Sequence, residues 1–225
     1  MIRNLLVIFI FFYSVNAFTQ QVQNRKLADF NSVYFFGNMD VKLIKSDSNM
    51  VVLSATKVDL NGVTTSIEKG ELLVRNTAIG KESNITVLLY YKDISAITAK
   101  AGADLLIKEA LKQQKLGIRL SKGATMKAVL KVDSLVLVAH QGAELSIDGS
   151  ATFVNASANA GGKIWGQKFE TQSADCSSAS GAEIFLIVRK ELKANANTGG
   201  IVNYYGQAII ISQKAITGGK VVNLK

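Results

Sequence analysis

The sequence predicts an all-β fold, a parallel β-solenoid of about seven glycine-cornered coils of 18–21 residues. Glycine-led pairs recur at Gly102-Ala103, Gly123-Ala124, Gly142-Ala143, Gly161-Gly162, Gly181-Ala182, Gly199-Gly200 and Gly218-Gly219, with spacings of 21, 19, 19, 20, 18 and 19 residues. Three residues after each first glycine stands an apolar residue: Leu105, Met126, Leu145, Ile164, Ile184, Val202 and Val221. Upstream of the glycines the chain alternates, as in Leu116/Ile118/Leu120, Leu135/Leu137/Ala139 and Val154/Ala156/Ala158, with Arg119, Asn155, Asp175 and Lys193 among the residues between inward positions. Period two with one apolar phase is the pattern of strands that bury one face.

Met1-Ile2-Arg3, the apolar run Leu5 to Tyr13 and the small-residue end Val15-Asn16-Ala17 read as a signal peptide over residues 1–17, too short for the roughly 20 apolar residues of a membrane span. Residues 18–28 read as an extended, poorly ordered lead-in. Residues 29–98 carry strand-like runs at Ser32 to Phe36, Met39 to Ile44, Met50 to Ala55, Glu71 to Val74 and Asn84 to Tyr90, with turns at Asp47-Ser48-Asn49 and Asn61-Gly62. No linker separates them from Ile94-Ser95-Ala96-Ile97, which is already in repeat phase, so residues 29–225 are expected to form a single domain whose first strands cap or open the solenoid. From 99 to 225 each repeat is expected to hold one strand before the glycine and one after it, joined by turn residues such as Asp148-Gly149-Ser150. A unit this short cannot bury its own apolar face, so equivalent strands stack at about 4.8 Å per coil. Glycine at the corner allows a sharp turn with positive φ and avoids collision with the next coil.

The 225 residues include 48% hydrophobic side chains and no proline, a globular composition. Loss of residues 1–17 leaves 25 basic against 17 acidic side chains, a net charge of +8 with His140 neutral. Such a surface attracts polyanions generically. No dense basic run or nucleic-acid motif accompanies it, so no specific nucleic-acid partner is expected. The mature chain contains no second membrane-spanning run, and its single cysteine, Cys176, excludes an intrachain disulfide.

Catalysis by a nucleophile requires a serine or cysteine with a base in reach, and the chain offers one histidine, one cysteine and no nucleophile elbow. His140 falls just before a corner and reads as a surface residue; Cys176 falls on an inward position. No metal or cofactor is expected. Two residues after each first glycine runs a ladder of Asp104, Thr125, Glu144, Lys163, Glu183, Ile201 and Lys220, in which Lys163 between Glu144 and Glu183 reads as charge compensation rather than a catalytic carboxylate cluster. Four residues after the glycine, on the outward side, Trp165 and Phe185 become neighbours on consecutive coils. Flanked by Glu144, Lys163 and Glu183, they form a candidate sugar platform, because pyranose faces stack on rings while charged groups bind hydroxyls; a subunit contact is the other reading. The last coil, with Val221, Val222 and Leu224, leaves an edge open to end-to-end homodimerisation.

Val33-Tyr34-Phe35-Phe36-Gly37-Asn38-Met39-Asp40-Val41-Lys42-Leu43, then Glu71-Leu72-Leu73-Val74, then corners such as Ala101-Gly102-Ala103-Asp104-Leu105 and Ser180-Gly181-Ala182-Glu183-Ile184 are similar to the auto-transporter adhesin head domain, also called the GIN domain, of exported Bacteroidetes proteins. The resemblance covers roughly Phe30 to Val222. It implies a right-handed parallel β-helix and adhesion at the cell surface. With the ring pair, the basic surface and the signal peptide, the expected partner is glycan or an anionic envelope component, met in the periplasm, at the outer-membrane surface or outside the cell. Self-export is not expected, because the solenoid repeats occupy the length a translocating barrel needs. Three classes stay open: a non-enzymatic adhesin-like module, a structural self-assembling protein without a small ligand, and a polysaccharide-active enzyme.

Overall fold

At each glycine corner two successive residues adopt left-handed backbone: Gln141 has φ 53° and Gly142 φ 70°, and the same pairing recurs from Ala101-Gly102 to Thr217-Gly218. The Ala143 N–H donates to the His140 carbonyl at 3.2 Å, which makes the corner a type I′ turn. That turn usually closes a hairpin. Here the strands entering and leaving it lie in different stacks of one continuous sheet, and the remaining corner groups bond to neighbouring coils: Gly142 N–H to the Ala160 carbonyl at 3.0 Å, Glu144 N–H to the Ala124 carbonyl at 3.1 Å.

The computed structural model describes residues 21–56, 60–77 and 84–225; the expected signal peptide lies outside them. Eight short strands come first: β1 (Gln21–Lys26), β2 (Ser32–Phe36), β3 (Met39–Lys45), β4 (Met50–Thr56), β5 (Val63–Glu68), β6 (Glu71–Asn76), β7 (Asn84–Tyr91) and β8 (Ala96–Lys100). Five long strands follow, β9 (Ala103–Ser121), β10 (Thr125–His140), β11 (Glu144–Asn159), β12 (Lys163–Ala179) and β13 (Glu183–Asn197), and then β14 (Ile201–Tyr205), β15 (Ile209–Ile216) and β16 (Lys220–Asn223). The post-corner stack runs β1-β4-β7-β3, through the first halves of β9 to β13, to β14 and β16; the pre-corner stack runs β5-β6-β2-β8, through the second halves, to β15. Pairing within the coils is parallel and in step with the repeat: Leu105, Met126, Leu145, Ile164, Ile184, Val202 and Val221 align rung by rung. All of that file except the last is buried, as is the opposing file Leu120, Ala139, Ala158, Ser178, Ala196. Ser178 is tolerated there because its hydroxyl donates to the Ala182 carbonyl at 2.7 Å and accepts from Ile201 N–H at 3.2 Å, so its buried oxygen is satisfied.

Residues 29–98 open the same solenoid, as expected, through parallel pairing of β3 and β8 with β9. Three expectations are corrected. Residues 21–26 are not a loose lead-in: β1 pairs antiparallel with β4, and Arg25 crosses to the other stack, bonding the Val63 carbonyl at 3.2 Å and Thr65 Oγ1 at 2.9 Å. Asp148-Gly149-Ser150 does not break its coil into two strands. The ladder to β10 continues through it (Asp148 to Val129, Gly149 to Leu130, Ser150 to Lys131), and the bend is absorbed by Gly149 at φ 115°. Finally, a Cβ on the first corner glycines Gly123, Gly142, Gly161, Gly181 and Gly199 would meet open space, so φ rather than crowding selects them; crowding belongs to the second glycine, where a Cβ on Gly162 would lie 2.0 Å from the Ala139 carbonyl oxygen.

Candidate functional site

The parallel register places Glu144, Lys163 and Glu183 on one outward rung and Ser146, Trp165 and Phe185 on the next, two residues along. Trp165 and Phe185 stack, with ring centroids 4.9 Å apart and planes inclined by 23°. Both rings are half-buried. On the other side of Trp165 stands Ser146, followed by Lys127, so the neighbour beside the indole is small. The Lys163 ammonium lies 5.6 Å from the Trp165 ring centre and 3.6 Å from a Glu144 carboxylate oxygen. Glu183 lies in register beside Lys163, whose ammonium turns to Glu144. The five candidate residues therefore form one ledge: two rings, a cation held by the quadrupole of one of them, and two carboxylates at the rim. Lower down the same ladder, the Thr125 hydroxyl bonds Asp104, so Asp104 and Glu144 are each engaged with a neighbour on the next strand rather than gathered around a common point. No group of three or more metal-ligating side chains occurs among the described residues, and no helix among them is long and apolar enough to cross a membrane.

Cys176 is buried as the inward phase requires. Burial, with Asp175 alongside, pushes its thiol up to about 12, which keeps it protonated and unreactive at neutral pH. His140 is not simply a surface residue: it is half-buried, and its Nε2 is enclosed without a partner.

A groove of about 540 Å³ was not visible in the sequence. It opens where β3 parts from β9 after the Lys42–Leu106 rung while staying paired with β7 as far as Lys45, with Leu43, Ile107, Leu111 and Tyr91 among its lining residues. The Tyr91 hydroxyl is pushed up from its ordinary range by burial and by the Glu109 carboxylate. No sequence periodicity reports a place where two strands part.

Several solved structures share the fold. A Bacteroides fragilis protein described as a putative adhesin matches with a TM-score of 0.82 at 14% identity, over 92% of this chain and 97% of that one. A putative adhesin from Parabacteroides merdae matches at 0.71 and 18%, over 92% and 96%, and a Parabacteroides distasonis protein described as a putative lipid binding protein at 0.67 and 16%, over 92% and 97%. No curated protein matches the chain. A family model described as "Putative auto-transporter adhesin, head GIN domain" matches residues 29–208, and the chain belongs to that family.

Proposed function

We propose that the protein is an exported, non-enzymatic module of the cell envelope that binds a carbohydrate on the Trp165–Phe185 ledge. The observation that carries this reading is the outward stack of the two rings with Lys163 and Glu144 at its edge: an apolar face for a pyranose, beside a donor and an acceptor for its hydroxyls. Membership of an adhesin-head family supports a surface role. Glu144 pairs with Lys163 and Asp104 accepts from Thr125, and the ladder's carboxylates stand along one outward row rather than facing one another across a cleft, which favours binding over glycoside hydrolysis.

Trp165 is the only tryptophan, so its fluorescence reports the ledge directly. Titration with neutral and acidic envelope oligosaccharides is expected to give a saturable change that persists at high salt and disappears in Trp165→Ala/Phe185→Ala measured by calorimetry. Binding unaltered in that double variant would remove the ledge from the reading.

A second reading, assembly through copies of this chain, rests on the outer edges of the last two strands. The outer edges of β15 and β16 carry no partner strand among the described residues. The interior file also ends unsealed: Ala196 is buried, whereas Ala215, its partner one coil on, is exposed.

A further inference from the structure

We propose that the pre-corner face holds a binding site for a tetrahedral oxyanion, a phosphate or sulfate monoester, in the depression walled by Tyr34, Lys100, Arg119 and His140. The site is separate from the Trp165 ledge and does not rest on it.

Four strands that are distant in sequence, β6, β2, β8 and β9, lie side by side on this face. Their register brings Arg75, Lys100 and Arg119 within about three strand spacings, roughly 14 Å. Tyr34 stands on β2 between β6 and β8. Arg75 Cζ lies 5.5 Å and Lys100 Nζ 5.3 Å from its ring centre, so the ring holds a cation from the strand on either side. Phe36 stacks beside it, with centroids 6.5 Å apart and planes parallel within 5°. Between Tyr34 and His140 the surface sinks into a depression of about 390 Å³.

Apart from Leu120 and Val138, the lining residues carry hydrogen-bond donors. Lys100 and Arg119 bring charge, Thr98, Ser121 and Tyr34 bring hydroxyls, and no carboxylate lines the depression. Arg75, Lys100 and Arg119 form no salt bridge with any described acid, in contrast to Lys163 with Glu144 and Arg189 with Glu170 at 2.6 Å. Three cations gathered without a counter-charge repel one another, and an anion from outside relieves that repulsion. His140 borders this same depression, so its imidazole lies beside any anion seated there. The oxygens of such an anion accept from Lys100, Arg119 and the neighbouring hydroxyls. Guanidinium and ammonium groups converging from separate strands suit the oxygens of phosphate or sulfate, whose charge-assisted hydrogen bonds are among the stronger ones.

His140 is the only histidine, so its imidazole resonances form a single-site probe in the mature chain. Four ligands are titrated in turn: inorganic phosphate, inorganic sulfate, a chondroitin 4-sulfate tetrasaccharide, and phosphatidic acid vesicles. The expected result is a saturable shift of the His140 signals with at least one of them, with the Trp165 indole signal unmoved. Preference for the tetrasaccharide or the vesicles then names the carrier, saccharide or lipid headgroup, and a response to the inorganic ions alone supports recognition of the group itself. Lys100→Gln/Arg119→Gln is expected to weaken binding about tenfold or more, whereas Lys131→Gln/Lys190→Gln, which removes the same charge elsewhere, stays within about twofold because distant exposed charges are screened. Ser121→Asp, a surface change that places a carboxylate in the depression, is expected to abolish binding and covers the case in which the double variant is poorly folded. Unmoved His140 signals with all four ligands, equal weakening by the two double variants, or tighter binding of a single-stranded oligodeoxynucleotide than of any of them would overturn the proposal. Because Trp165 and His140 report separately, failure here leaves the ledge untouched, and failure of the ledge leaves this site untouched.

Discussion

Gln141 occupies left-handed backbone at φ 53°, a conformation that costs a residue with a Cβ about 1–2 kcal/mol. Asparagine adopts it more readily and is favoured ahead of glycine in type I′ turns. Gln141→Asn is therefore expected to stabilise the protein by about 0.5–1 kcal/mol in urea unfolding; a neutral or negative change would mean that the left-handed φ does not limit stability at this position. Cys176 provides a test in pH. Its thiol is raised from 9.0 to about 12 in the folded chain, so the folded state holds the proton more tightly than the unfolded one. That contribution is complete below pH 9 and is lost as pH rises from 9 towards 12. Between pH 8 and 10.5 the native protein is expected to lose about 2 kcal/mol more than Cys176→Ala, and parallel curves for the two would contradict the burial argument.

At the scale of an element, the corner makes two different demands. The first glycine is selected by φ, the second by space. Gly142→Ala, with nothing within 4 Å of its new Cβ, is expected to cost about 1–2 kcal/mol through backbone conformation alone. Gly162→Ala faces ordinary φ but places a Cβ 2.0 Å from the Ala139 carbonyl oxygen and 3.1 Å from that of Asn159, so the corner between β11 and β12 must move. Overpacking of this kind costs about 1–3 kcal/mol or more, and it displaces the start of β12, which carries Lys163 and Trp165. Fluorescence of Trp165 is expected to shift in Gly162→Ala and to stay unchanged in Gly142→Ala. Identical spectra would show that the ledge is insulated from its corner.

The two ends of the molecule differ. The amino-terminal end is closed by antiparallel strands, β1 on β4 and β5 on β6, which interrupt the parallel stacking. At the other end, β15 and β16 carry no partner strand on their outer sides among the described residues, and Ile209 is 71% and Ile216 46% exposed. Bare edges of this kind recruit further strands. Concentration-dependent dimerisation is expected in sedimentation at high micromolar protein and is expected to weaken in Ile216→Lys; a strictly monomeric species throughout would leave the assembly reading without support.

Much of this architecture was legible one residue at a time. The glycine spacing located every corner from Gly102 to Gly218, the period-two pattern separated Leu135, Leu137 and Ala139 from their outward neighbours, and the repeat length placed Trp165 beside Phe185. Those properties are local or strictly periodic, and a parallel stack turns sequence period directly into spatial contact. What the period could not carry was the non-repetitive part. The pairing of β1 with β4, the parting of β3 from β9, and the convergence of Arg75, Lys100 and Arg119 around Tyr34 join segments whose sequence separations follow no rule. The chain has no dense basic run, yet its surface has a basic cluster, because hydrogen bonding between β6, β2, β8 and β9 brings together cations that the sequence holds 19 to 25 residues apart. The sequence by itself determined the coil, its corners and the ring ledge; only the tertiary structure decided how the ends close and where unpaired charge collects, since those depend on which strands meet rather than on how each strand is written.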